Sequence, residues 1–431
     1  MLINRNFTLL WAGQTLSEIG DYAIGTTLSL WIGVILLRES GDAPLAVSGI
    51  AAVTALATML VGPIAGVFAD RWNKRRTLMT ADLLRALLML AAVLVVSRPS
   101  PAHDSRATLL LLYAIVLAAT VAAQFFNPAR FALIQSVVPS QDQNRAAAIG
   151  QSTHAIAVIA GPPLAAPLLY TAGIQWALAL NAASFLVSCA LIRAVRAPHR
   201  QKSGEPLPGT GLAAEFADGL RVVARSRPLR TLIVAVVLGT TGITAFNTLG
   251  VFFVTEDLDA APQWFGILEG VLGLGLVAGV LTATRLTHHD PHRLFAWGLL
   301  ATGTGLAIGA NCSGIHPALA VMFLVGIPLA VTYASFTPII VQAAPPTHLG
   351  RVTALINPVE RAAALLGATA AGWLAHNSPL TDGPGNGADS HGVGSTLTLA
   401  AGLVLATGIY AVWALPRAAQ APHARHSPQT P

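Results

Sequence analysis

Twelve apolar stretches, each long enough for a helix to cross a bilayer, run through this 431-residue chain and constrain its fold more than any other feature. Crossing roughly 30 Å of hydrocarbon takes about 20 residues of helix. The stretches cover approximately 7–36, 45–69, 77–96, 108–126, 146–170, 175–195, 231–254, 264–286, 293–311, 317–342, 352–375 and 395–415. They are rich in Leu, Ala, Val and Gly, too long for strands, and without the polar alternation of an outer-membrane barrel. Only 10% of residues are charged and 54% are hydrophobic, too little charge to solvate a globular surface of this size. The expected fold class is all-α integral membrane, with twelve transmembrane helices.

Basic residues then orient the chain. With the N-terminus inside, the segments on that side hold 20 of the 25 Lys and Arg residues, including Lys74, Arg75 and Arg76 beside Arg71; the opposite segments hold Arg38, Arg98 and Arg106. That asymmetry predicts a multi-pass protein of the cell membrane with both termini cytoplasmic. The formal net charge of +6 therefore reflects orientation and contact with anionic lipid, and a nucleic-acid partner is not expected.

The first apolar run carries Glu18 and Asp21 at its centre and is too long for the core of a cleavable signal. Residues 198–230 are polar and basic and divide the spans six and six. The domain reading is 1–197 as an N-terminal six-helix bundle, 198–230 as a central cytoplasmic loop, 231–415 as a C-terminal six-helix bundle, and 416–431 as a disordered cytoplasmic tail. Cys189 and Cys312 show no metal-ligand spacing and are assigned to packing, so no metal or cofactor is expected.

An internal repeat supports the two-bundle reading. Asn144-Arg145-Ala146-Ala147-Ala148-Ile149, with Gly161 sixteen residues after its arginine, is echoed by Gly350-Arg351-Val352-Thr353-Ala354-Leu355 with Gly367, an offset of 206. Ala65-Gly66-Val67-Phe68 before Arg71 has a worn copy in Ala278-Gly279-Val280-Leu281 before Arg285.

The stretch Gly66-Val67-Phe68-Ala69-Asp70-Arg71-Trp72-Asn73-Lys74-Arg75-Arg76 resembles the loop between the second and third helices of the major facilitator superfamily, with Asn73 at a position usually glycine. Asn6-Phe7, Leu10-Trp11, Gly13-Gln14, Ser17 to Asp21, Ala81 to Ala86 and Asn127-Pro128-Ala129-Arg130 resemble its macrolide-efflux and enterobactin-exporter-like branch of drug:proton antiporters. The resemblance implies the major facilitator fold of two pseudo-symmetric six-helix bundles that alternate access to a central site. It also implies proton-driven efflux of an amphipathic small molecule, by a monomer with protons and lipids as its other partners and no enzymatic activity. The alternatives are a proton-coupled importer of small solutes and a non-transporting sensor. A gating motif carries over to Gly66, Asp70, Arg71, Arg75, Arg76, Asp82, Arg85, Arg130 and Arg351. In it Asp70 latches the start of helix eleven, Arg71 and Arg130 are its charge partners, and Asp82 pairs with Arg85 behind it.

Ionisable side chains inside a span are costly, which makes them functional candidates. Glu18 and Asp21 stand i, i+3 on one face of helix one, close enough to repel, and are the first proton-coupling candidates. Glu360 maps through the 206-residue offset onto His154, giving a second pair on helices eleven and five. Glu269, near the start of helix eight, reads as part of the outer mouth. Polar groups within the spans are few, chiefly Gln124, Gln151, Asn247 and Asn357, while Phe125, Phe246, Tyr333 and Phe336 fall on helices four, seven and ten, which the resemblance implies line the cavity. These eight are the expected cavity residues, and an apolar cavity with so few hydrogen-bonding groups suits a lipophilic ligand.

Overall fold

A computed structural model of the chain describes residues 3–38, 40–97, 105–196, 220–221, 223–286, 288–343, 349–377 and 392–420. Side chains at 63–64, 66–71, 144, 151–152, 349–354, 357 and 416–420 lie outside this description. So do most of the expected central loop and the last eleven residues of the expected tail.

The described residues form twelve long helices: α1 (Arg5–Leu30), α2 (Ala43–Arg71), α3 (Lys74–Val96), α4 (Ser105–Val137), α5 (Gln143–Pro167), α6 (Ile174–Ala194), α7 (Arg227–Thr248), α8 (Gln263–Arg285), α9 (Pro291–Ala310), α10 (Ile315–Ala343), α11 (Leu349–Asn377) and α12 (Val393–Gln420). No strand is present among them. Ten are long and apolar enough to cross a membrane on composition alone. The other two are α9 and α11, and α11 carries Arg351, Glu360 and Arg361 within its length. Leu60, Leu94, Leu110, Leu281 and Leu324 are more than half exposed, the apolar skin that lipid would cover.

Local chemistry sets several helix ends. The Asn4 side chain accepts from the Phe7 N–H at 2.8 Å and caps α1. Asn73 accepts from the Arg76 N–H at 3.1 Å and caps α3, so the residue that departs from the loop motif starts the next helix. Helices α1 and α5 run directly into a π-helical turn, Trp31–Leu36 and Leu168–Ala172, and a third such turn, Phe253–Asp257, follows α7 after the short helical piece Gly250–Phe252.

Packing repeats with a shift of six helices. In the first half α1 packs on α5 and α6, α3 on α4 and α6, and α2 on α4. In the second half α7 packs on α11 and α12, α9 on α10 and α12, and α8 on α10. The two repeat glycines show why. A Cβ at Gly161 would meet the Ile19 carbonyl and Tyr22 of α1, and a Cβ at Gly367 would meet the Thr241 carbonyl of α7. Each lets the fifth helix of its half lie directly on the first.

The halves join through two interfaces that are also equivalent, α2 on α11 and α5 on α8. At the second, Gly266, Gly270 and Gly273 form one stripe of α8 against Ile159, Pro162 and Pro163 of α5. A Cβ at Gly266 would lie 2.3 Å from the Pro162 carbonyl oxygen. At the first, Gly372 of α11 lies against Ser48 and Pro44 of α2, and His376 Nδ1 sits 2.9 Å from the Gly41 carbonyl oxygen and 3.6 Å from Asp42. These contacts lie towards the end of the bundle opposite Arg5, called the far end below.

Candidate functional site

A cavity of ≈570 Å³ lies between the halves, from mid-bundle towards the far end. One wall comes from α1 (Asp21, Tyr22, Gly25, Thr26) and α5 (His154, Val158, Pro162). The other comes from α7 (Ile243, Phe246, Asn247), α8 (Phe265, Leu268, Glu269, Leu272, Gly273, Leu276) and α10 (Met322, Leu329, Tyr333). Its size falls within the range of drug-sized pockets, and its lining is mostly apolar with a few polar groups.

The α1 carboxylates do not face each other unbuffered. Asp21 forms an ion pair with Arg85 of α3. Arg85 is nearly buried, its guanidinium lies 3.9 Å above the Phe185 ring of α6, and its Nη1 is 3.8 Å from Asp82 Oδ1. Asp82 is completely buried, whereas the Asp21 side chain is 40% exposed and turned to the cavity. The Asp82–Arg85 pair expected from sequence therefore extends to Asp21 and ties α3 to the cavity wall.

Glu18 has a different partner. Its Oε1 is 2.7 Å from His154 Nδ1, and the Gln14 amide donates to its Oε2 at 3.3 Å. The Tyr22 ring meets the His154 ring edge-on at 5.8 Å, and the Trp11 indole N–H donates to Thr153 Oγ1 at 2.6 Å, fixing α1 against α5 beside the pair. The mutual repulsion expected between Glu18 and Asp21 is thus met by a separate base for each. Glu360, the repeat partner of His154, does not line the cavity.

Glu269 lines the cavity instead of the outer mouth. The Thr26 hydroxyl of α1 donates to its Oε2 at 2.6 Å, a hydrogen bond from one half to the other. A signal for this was present in the sequence. Glu269 stands three residues after Gly266 and four before Gly273, which puts it on the glycine-bearing face of α8.

Of the expected cavity residues, Phe246, Asn247 and Tyr333 line it. Gln124 instead donates to Thr58 Oγ1 of α2 at 3.3 Å, Phe125 stacks on Trp72 at 5.6 Å, and Phe336 packs into the core. Gln151 and Asn357 have side chains outside the described residues. In the loop motif, the side chains of Gly66, Asp70, Arg71 and Arg351 are likewise outside them. Arg75 donates from Nε to the Ile192 carbonyl at 3.3 Å and also to the Arg193 carbonyl, so it caps the end of α6. Arg76 contributes its backbone N–H to the Asn73 cap, and the Arg130 guanidinium lies 4.9 Å from the centre of the Phe131 ring.

Two matched sets of six helices around a cavity shared by both define a multi-pass membrane transporter, not an enzyme. The chain belongs to the Major Facilitator Superfamily, whose sequence pattern it matches over residues 10–368. It is 27% identical over 403 residues to the multidrug efflux pump Tap of Mycobacterium tuberculosis (strain ATCC 25618 / H37Rv), covering 88% of this chain and 87% of Tap. It is 22% identical over 371 residues to macrolide efflux protein A of Streptococcus pyogenes, covering 84% and 87%. The fold is similar to that of a bacterial homologue of the iron transporter ferroportin in its inward-facing state, with a TM-score of 0.73, 14% identity, and 97% and 99% of the two chains covered.

Proposed function

We propose that this transporter exports amphipathic small molecules from the cell, driven by the proton gradient, with both termini in the cytoplasm. The ≈570 Å³ cavity shared by the two halves carries the reading. Its apolar lining suits a lipophilic body, and its few polar groups sit on opposite walls. The similarity to Tap and to macrolide efflux protein A supports efflux, and the basic residues on the N-terminal side support the orientation. In that orientation the close contacts at the far end shut the cavity from the outside, as a cytoplasm-facing loading state requires.

The Glu18–His154 pair is the proton-carrying element in this reading. It joins α1 to α5 next to the cavity, so a change in its proton content alters the tie between two helices of one half. Asp21 contributes through Arg85, as the cavity-facing end of a fixed ion pair. One proton moving through 100 mV supplies about 2.3 kcal/mol, enough to sustain a roughly 50-fold gradient of a neutral solute.

The experiment is accumulation of a fluorescent amphipathic drug in cells expressing the protein, with and without a protonophore. Lower accumulation that the protonophore abolishes is expected. Higher accumulation than in control cells would reverse the direction, and low accumulation indifferent to the protonophore would remove the proton.

A further inference from the structure

We propose that Glu269 is the charge-reading group of the cavity and that the ligand it selects is a lipophilic organic cation. This deepens the export reading above and rests on it.

The other carboxylates of this region already have their counter-charges. Asp21, the other carboxylate in the cavity wall, has Arg85, and Glu18 beside it has His154. Glu269 receives only the neutral hydroxyl of Thr26, and no Lys, Arg or His among the described residues stands within ion-pair distance of it. A partly buried carboxylate in an apolar wall without a counter-charge is costly, and a ligand that brings a positive charge supplies what the protein leaves out. The surroundings favour the same ligand. Tyr22, Phe246, Phe265 and Tyr333 line the same space, and aromatic rings attract a cation with an apolar body. An anion of equal size would meet an unmatched negative charge here.

The Thr26 contact adds a mechanical consequence. Because the hydroxyl belongs to α1 and the carboxylate to α8, a cation that takes over Glu269 competes with a tie between the halves. Occupancy and separation of the halves are then linked at one atom.

The test is equilibrium binding to the full-length protein in detergent, using tetraphenylphosphonium and tetraphenylborate. These two ions share size and apolar surface and differ in the sign of charge. The wild type should bind the cation at least about tenfold more tightly, Glu269→Gln should lose that preference, and Glu269→Asp should keep it; tenfold is about 1.4 kcal/mol. A wild type that binds both ions alike overturns the proposal with no variant needed, and so does a cation preference that survives Glu269→Gln. Cells that fail to export while the purified protein still prefers the cation would sink the export reading and leave the site. Export without charge preference would sink the site alone.

Discussion

The two halves of this transporter pack their helices in the same pattern and furnish their cavity walls differently. The first half brings a charge network, in which Asp21, Asp82 and Arg85 link α1 to α3, and Glu18 and His154 link α1 to α5. The second half brings rings, glycines and the single carboxylate of Glu269. Duplication accounts for the shared geometry, since helix crossings depend on small residues at fixed spacings, such as Gly161 and Gly367. It does not preserve the chemistry. His154 and Glu360 hold equivalent positions, yet only His154 reaches the cavity. Symmetry therefore predicts where helices meet and not which side chains act there.

The sharpest way to break the comparison is to remove the cation at the centre of the first half. Arg85→Ala leaves Asp82 buried beside an unpaired Asp21, and truncating one partner of a buried pair costs about 3–5 kcal/mol. Thermal unfolding in detergent should show a large loss of stability, with export abolished. Asp21→Asn combined with Arg85→Leu should recover part of the stability and none of the export.

A second change tests the claim that geometry is shared. Gly270→Leu forces a branched side chain against Pro163 and the Ile159 carbonyl of α5, a strain of about 1–3 kcal/mol. Gly372→Leu does the same against Ser48 and Pro44 at the equivalent α2–α11 crossing. Both variants should fold, lose most export, and show increased labelling of single cysteines placed at the far end. Normal labelling in one variant alone would show that the two interfaces are not mechanically equivalent.

The third test separates chemistry from symmetry. Glu18→Gln and His154→Ala should each displace the pH profile of export, because each removes one side of the 2.7 Å contact. Glu360→Gln should leave that profile in place. A shift as large for Glu360→Gln would restore the symmetric assignment.

Smaller effects are expected at the margins of the halves. Arg75→Ala removes the caps on the Ile192 and Arg193 carbonyls and should lower stability by about 1 kcal/mol with export retained. Beyond the end of α7, burial pushes the Asp257 carboxyl up to about 6, and burial with the neighbouring Asp257 charge pushes Glu256 up to about 7. A carboxyl whose folded pKa is raised stabilises the fold at low pH, and that contribution is lost as pH rises through its folded value. The unfolding temperature should therefore drift down between about pH 4 and pH 7. Glu256→Gln combined with Asp257→Asn should flatten that drift.

Much of the fold was readable because its signals are one-dimensional. Span length, the basic loops, and Gly161 and Gly367 sixteen residues after their arginines all survive without knowledge of neighbours. The cavity was less readable because it depends on which face of a helix looks inward. Phe246, Asn247 and Tyr333 were placed from their helices and do face the cavity, but Gln124, Phe125 and Phe336 were placed in the same way and turn elsewhere. Glu269 was misplaced for a related reason. Distance from the helix start gives depth in the membrane, whereas the glycines on either side of it reveal its direction.

The α5–α8 crossing has a consequence for how this protein can change over generations. Gly266 meets the Pro162 carbonyl and Gly270 the Pro163 ring of α5, so a single added methyl group would collide with atoms that cannot rotate away. Neighbouring cavity positions such as Ile243, Leu272 and Leu329 carry ordinary side chains and face open space. A substitution is therefore easier to accommodate on the wall that meets cargo than at the joint. A lineage carrying this arrangement can acquire new substrates by trading one apolar side chain for another, without having to reinvent the moving parts.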